Sequence, residues 1–464
     1  MCSEQSGLES SLLPTVAQGR RFSMKFLWQL VGFCILVSGI LMDDEARASA
    51  DEDELVILLL VDALRPDHIS GLGYDKPTTP KLDARLPTAR IFERAYVNAP
   101  WTRPSTASFL TGLNASRHQA QSAKTKLPHK VVTLAERLKT EGWKTAGFTA
   151  NGNGGSLARL EQGFDFFGDP SKTYTKKVRG KTYNGLPTGD FMVKQVKSWL
   201  KKNPKGKRFI FLFLVDPHDP YGAPKELEKA FLKGYKGKLR RTPSWEYNND
   251  YSKAEREAII ALYDASIRYT DDVLERFWTY LEGLPTKDQT TVFLTADHGE
   301  GMGEHGFYLH AHQFWEEVIR VPLFVWGPGF SPGKDPRLTQ SIDVAQTILD
   351  LAGLQDAKLP GRSLLAPAWE DGVVISEYNE FGIRRQAIIG ERYKVIWQRP
   401  ADVPAFKKAV RRPEFFPSVS MDAEVIQVFD LKSDPKETRD LSKNMPEEAA
   451  ALLRSLRNFV ATAP

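Results

Sequence analysis

Four of the eight histidines in this 464-residue chain, His298, His305, His310 and His312, lie between positions 298 and 312. Asp297 stands directly before the first of them, and Gly299, Gly301, Gly303 and Gly306 break any regular element through the segment. A carboxylate and an imidazole beside a flexible glycine loop can converge on a metal ion. A polar loop carrying solvated histidines is the plainer reading of the same residues. Further candidates are Asp62, at the end of an aliphatic run, Asn151 in a glycine-asparagine loop, and Asp216 with His218 in VDPHDP.

Strands have to bring these residues together. Leu55 to Val61 is a continuous aliphatic run, which predicts a parallel strand buried on both faces. Thr145 to Thr149, Phe209 to Val215, Thr291 to Thr295 and Val321 to Val325 predict further strands. Helical spacing runs over 131–140, 189–202 and 255–281. Strands alternating with helices predict an α/β fold with a mixed, mostly parallel central sheet and helices on both faces. Ligands bind such sheets beyond the carboxyl ends of the strands, where Asp62, Asn151, Asp216 with His218, and Asp297 with His298 all stand. That convergence predicts a site without reference to any family.

After Gly353 the pattern changes to short strands without helices between them, at 373–376, 386–389, 393–397 and 425–430, followed by a helix over 447–460. The expected division is a segment over 1–50, a catalytic domain over 51–355 and a small antiparallel α+β subdomain over 356–464. In the first segment Arg20, Arg21 and Lys25 precede an apolar run from Phe26 to Met42, and Ala48-Ser49-Ala50 offers a cleavage site. This predicts a cleaved signal and a secreted or periplasmic protein, with a retained single-span membrane anchor as the alternative. Both cysteines, Cys2 and Cys34, fall there, so the remainder has no thiol for a disulfide or a metal. The net charge of +5 decides no partner class. Twelve Lys or Arg against one acidic residue, Asp190, lie between Lys172 and Arg208, a solvated surface or, if it lines the cleft, a means of steering an anionic substrate. No aromatic-basic module points to nucleic acid.

Several of these segments together resemble the sulfatase family of the alkaline-phosphatase-like superfamily. The matching pieces are TADHG (295–299), GEHG (303–306), Trp315-Glu316 leading into RVPL (320–323), LLLVDALRPD (58–67), APWTRPSTASFLTG (99–112), LVDPHDPYG (214–222) and FDLKSDPKETRDLS (429–442). LHAHQFWEE is similar to a histidine segment of the more divergent branch of that family. The resemblance implies a metal-dependent hydrolase of sulfate or phosphate esters, with Asp62, Asp297, His298 and Thr102 around one divalent ion. It makes Thr102, His218, His310 and His312 candidate catalytic residues, and Arg103 and Asn151 candidate substrate contacts.

The departures from the family pattern carry their own expectations. Ala63 stands where a second acidic ligand is usual, which argues against a calcium site; one imidazole among oxygens suits manganese or zinc better than calcium. Thr102 stands at the cysteine position of the nucleophile segment and Thr106 at its arginine position, so no formylglycine is expected. The lysine and histidine of a GKWH segment are missing near Asn151. Thr102 can still be a nucleophile, because it opens a helix whose N-H groups favour an anion and a metal-bound hydroxyl loses its proton more easily. Its rival role is an N-cap. The expected partner is an anionic small-molecule, glycan or lipid ester and no nucleic acid, with membrane contact only through a retained N-terminal segment. A phosphotransferase and a degenerate anion-binding protein remain the alternatives.

Overall fold

A computed structural model describes residues 53–169, 186–244, 251–354, 359–369, 372–400 and 423–463, with a few isolated positions besides. The N-terminal apolar run and Lys172 to Lys181 lie outside the described residues. Among those described, no helix is long and apolar enough to cross a membrane.

The large sheet has nine strands: β1 (Leu55–Val61), β2 (Arg90–Tyr96), β3 (Lys144–Thr149), β4 (Phe166–Gly168), β5 (Arg208–Leu214), β6 (Thr290–Thr295), β7 (Arg320–Val321), β8 (Leu323–Trp326) and β9 (Gly333–Gln340). Their order is β7-β2-β8-β6-β1-β5-β3-β4, with β9 also paired to β2. β1 runs parallel to β5 and β6, and β3 parallel to β5 and β4, whereas β8 is antiparallel to both β6 and β2. The sheet is therefore mixed and mostly parallel.

All seven residues of β1 are buried, so both faces of the sheet are covered. The helices are α1 (Thr102–Thr111), α2 (Leu134–Thr140), α3 (Gly189–Lys202), α4 (Lys253–Glu282), α5 (Ser341–Leu351) and α6 (Glu447–Ala461). They pack in groups: α1, α2 and α5 touch one another, and α3 lies against α4. Capping boxes at Thr133 and Ser252 start α2 and α4 by satisfying otherwise orphaned N-H groups.

Two expectations need adjusting. The strand predicted over 321–325 is split at Pro322, which has no N-H for the ladder, into β7 and β8. The helix predicted from Val131 begins only at Leu134, after the Thr133 cap.

Four more strands, β10 (Val374–Glu380), β11 (Ile383–Ile389), β12 (Tyr393–Arg399) and β13 (Val425–Asp430), form an antiparallel sheet in sequence order. Ala449, Leu453 and Leu456 of α6 join its apolar cluster. This second sheet is tied to the loops of the first: Glu377 N donates to Asn98 O at 2.9 Å, and buried Lys394 reaches Glu316 and Glu437 at 2.7 and 2.8 Å.

Candidate active site

The register of the central strands sets up the site. Leu60 is level with Phe213 and Thr295, and Thr149 is level with the same Phe213. Four chains thus leave the sheet along one edge, carrying Asp62, Asn151, His218 and the Asp297-His298 pair. Asp62, Asp297 and His298 are fully buried there, with ligand atoms within 4.8 Å of one another. His298 Nε2 lies 3.5 Å from Asp62 Oδ1 and 3.3 Å from Asp297 Oδ2.

The protonation of this trio bears on what it could hold. His298 Nδ1 lies 2.8 Å from the Gly299 carbonyl, which can only accept, so Nδ1 carries the proton. Burial, then His310, depresses the His298 pKa well below its usual value, so Nε2 presents a lone pair. That lone pair faces Asp62 Oδ1 and Asp297 Oδ2, two buried oxygens without any hydrogen-bond donor. Burial raises Asp62 to about 6, and burial followed by the Asp62 charge pushes Asp297 well above the usual range. Buried acceptors aimed at one point fit a divalent cation, which would relieve all three.

Thr102 supplies a hydroxyl to the same point, its Oγ1 3.2 Å from His298 Nε2. It is the first residue of α1, whose N-cap is the extended residue Trp101. The N-cap role is therefore not what this side chain does. Ser105 fastens the helix to the end of β6 by donating to Asp297 O at 2.5 Å. Gly299 is required on the other side, because a Cβ there would sit 2.1 Å from Glu317 O.

Two of the remaining histidines line the trio. His310 lies against His298 with ring centroids 4.0 Å apart, and His218 lies 5.1 Å from His310. His218 is only partly buried; desolvation opposes its charge, yet Asp62, Asp219 and Glu300 lift it to about 9. Burial and the neighbouring His218 lower His310 to about 3. Glu300, which the sequence reading missed, is fully buried with Oε1 2.9 Å from His310 Nδ1. Its only sequence signal was an acidic residue two positions past His298.

Other candidates are placed differently. Arg103 does not face the trio: Nη1 donates to the carbonyls of Ser122, Ala123 and Thr125, and Nη2 to Asn153 Oδ1. These bonds hold the guanidinium to its own scaffold. Asn151 contacts a carboxylate of the trio, donating from Nδ2 to Asp62 Oδ2 at 2.9 Å. The His312 ring packs against Phe307 and Tyr378, with centroids 5.1 and 6.4 Å away. His305 stacks on Trp315 and bonds to Glu317. Asp216 turns back to accept from Gly189 N at the start of α3, so it does not join His218. Of the basic stretch, Lys201 to Arg208 lies at the amino end of β5, the edge opposite the site.

With this geometry in view, a family model described as Sulfatase matches residues 54–354, more than half of the chain. The chain belongs to the sulfatase family. A second model, N-sulphoglucosamine sulphohydrolase, C-terminal, matches residues 303–461 of this sulfatase-family hydrolase. The chain is similar to the Delta 4,5-hexuronate-2-O-sulfatase of Bacteroides thetaiotaomicron, 24% identical over 443 residues and covering 86% of each chain. It is similar to the phosphatidylethanolamine transferase Mcr-1 of Escherichia coli, 24% identical over 317 residues, covering 67% of this chain and 55% of that protein. The phosphonate monoester hydrolase of Agrobacterium radiobacter shares the fold at a TM-score of 0.66 and 18% identity, over 88% of this chain and 95% of the other. Within the family frame, Ala63 stands out: it is buried in a left-handed conformation (φ 58°), with its N-H 3.3 Å from Asp297 Oδ1. At this position the backbone, rather than a second carboxylate, meets the site.

Proposed function

We propose that this sulfatase-family hydrolase cleaves a phosphoric or sulfuric ester through Thr102, with one divalent ion held by Asp62, Asp297, His298 and Thr102. The observation that carries the reading is Thr102 Oγ1 at 3.2 Å from His298 Nε2, beside two buried carboxylate oxygens that lack donors. When bound, the ion supplies positive charge that lowers the pKa of the hydroxyl and offsets charge on the ester oxygens.

Thr102, its hydroxyl proton first released to solvent, attacks the phosphorus or sulfur through Oγ1 and forms a threonine ester as the bond to the leaving oxygen breaks. His218, whose pKa of about 9 keeps it protonated near neutrality, donates to that oxygen. Neutral after that donation, His218 takes the proton of the incoming hydroxyl, beside the His310 ring, whose Nδ1 is held 2.9 Å from Glu300 Oε1. Attack by that hydroxyl breaks the Thr102 ester and restores the side chain. A threonine ester, unlike that of an aldehyde hydrate, has no second hydroxyl to expel the group. The centre must be attacked twice, which phosphorus allows more readily, so phosphoester turnover should exceed sulfate ester turnover.

Arg103 and His312 have no part in this scheme, and Asn151 acts on Asp62 rather than on substrate. The test is a turnover panel of aryl sulfate, phosphate monoester, phosphodiester and phosphonate, each with calcium, manganese and zinc. Aryl sulfate turnover above every phosphoester would overturn the substrate order.

A second reading, transfer to an alcohol in place of water, is favoured by the similarity to the Mcr-1 transferase. Product analysis with an added alcohol separates the two. The substrate is an anionic glycan, lipid or small-molecule ester. Residues 1–50 are read as a secretory signal, with catalytic and C-terminal parts over 51–355 and 356–464; a mature chain that begins near Asp51 outside the cytoplasm is the matching outcome, and recovery of Met24 in a membrane fraction the contrary one.

A further inference from the structure

The turn after β3 joins the two halves of the site. Asn151 is the N-cap of a single 3-10 turn, Gly152–Gly154, and its Oδ1 accepts from Asn153 N at 3.0 Å. This bond fixes which end of the Asn151 amide faces Asp62. Nδ2 must point there, and it donates to Asp62 Oδ2 at 2.9 Å. One carboxylate oxygen is thereby occupied, and Oδ1 is the one left without a donor and turned toward His298 Nε2.

The Asn153 side chain extends the connection. Its Oδ1 accepts from Arg103 Nη2 at 2.8 Å, and Arg103 is the residue after Thr102. The other terminal nitrogen, Nη1, is held by three carbonyls, at 2.7 to 3.0 Å, so the guanidinium is a fixed point. The turn is also packed tightly: a Cβ on Gly154 would meet Phe213 at 2.4 Å and lie 3.3 Å from Thr106 Oγ1. The small residue at 106 thus borders the turn that carries Asn153.

We propose that Arg103, Asn153 and Asn151 form a positioning relay that fixes the Asp62 carboxylate relative to Thr102, with Asn153 as its middle link. None of the three is a ligand in this scheme; they act through Asp62 and the start of α1. The proposal rests on the divalent-ion reading of the site. It gives Arg103 a purpose that a substrate contact does not, and accounts for an asparagine loop where the family resemblance leads one to look for a lysine and a histidine.

The test is ion affinity, measured on the purified chain with zinc and then manganese by competition against a chromophoric chelator, alongside thermal melting of the metal-free protein. Asn153→Ala removes the tie to Arg103 but keeps the backbone N-H to Asn151. It should weaken ion binding by about 10- to 100-fold, the usual range for partners behind a metal ligand, with the metal-free melting temperature little changed. Asn153→Asp keeps an acceptor for Arg103 and should restore most of the affinity. Asn151→Ala, which frees Asp62 Oδ2, should weaken binding at least as much as Asn153→Ala. Wild-type affinity in both alanine variants would overturn the relay and leave the metal reading standing. A wild-type chain that binds neither ion would overturn both.

Discussion

Glu300 holds His310: Oε1 and Nδ1 are 2.9 Å apart in a setting where the carboxyl group is fully buried. Burial, then the nearby Asp219, pushes Glu300 well above the usual carboxyl range. The carboxyl group thereby fixes the orientation of the His310 ring. The His310 ring lies against the His298 ring, with centroids 4.0 Å apart, so the same contact ties Glu300 to the buried trio.

Glu300→Gln replaces a carboxyl group that holds His310 and acts on His218 with an amide of equal size. It should lower kcat by about tenfold or more, with KM and ion content little changed, because the lost interaction matters in the proton transfer rather than in binding. Steady-state kinetics with elemental analysis of the same sample checks this. Equal kcat in the variant would remove Glu300 from the proton path.

Asp297→Asn should abolish ion retention, because it removes a formal charge from a cluster that, among the described residues, holds two carboxylates. Elemental analysis showing full occupancy in the variant would exclude Asp297 as a ligand. The wild-type site should also bind more tightly as pH rises, because burial raises both Asp62 and Asp297 and each must lose its proton. The sign follows because the ion competes with those protons, and ion affinity measured between pH 5 and pH 8 reads it directly.

Asp216 offers a stability test away from the chemistry. Burial raises it to about 7 although the Gly189 N-H stabilises its charge, and its unfolded value is near 3.8. Between those values the folded state holds a proton that the unfolded state has released, so the contribution is present below about 4 and lost as pH rises through about 7. Asp216→Asn keeps an acceptor for Gly189 and should raise the melting temperature at pH 8 relative to wild type, with a smaller difference at pH 4. A variant less stable than wild type at pH 8 would contradict this.

Much of the scaffold was legible because its central strands are buried on both faces. Leu55 to Val61 and Phe209 to Leu214 are unbroken apolar runs for that reason. β2 and β9 were not, since each mixes buried residues with charges, and Arg90 pairs with Asp335 across them at 2.8 Å. Their strand character comes from the partner and not from a pattern of their own. Asp62, Asp297 and His298 could be located as residues at strand ends. What spacing could not supply was the direction of each side chain beyond the strand. Asp216 and His218 leave the same strand and part ways, one to cap a helix and one to the site. Arg103, adjacent to Thr102, is likewise turned into the scaffold. Glu300 was missed because a glutamate in a glycine loop ordinarily reads as solvated, and only the fold buries it beside His310.

The central claim is that Thr102 carries the group being transferred. Thr102→Ala should lower turnover by at least about a hundredfold, as loss of a nucleophile does, and Thr102→Ser should retain measurable activity. The direct measurement is peptide mass spectrometry of enzyme acid-quenched during turnover of its best phosphoester. The account predicts a phosphoryl adduct on the peptide containing Thr102, localised to that residue and missing from Thr102→Ala. An adduct on another residue, or near wild-type turnover by the alanine variant with no adduct in either protein, would contradict it.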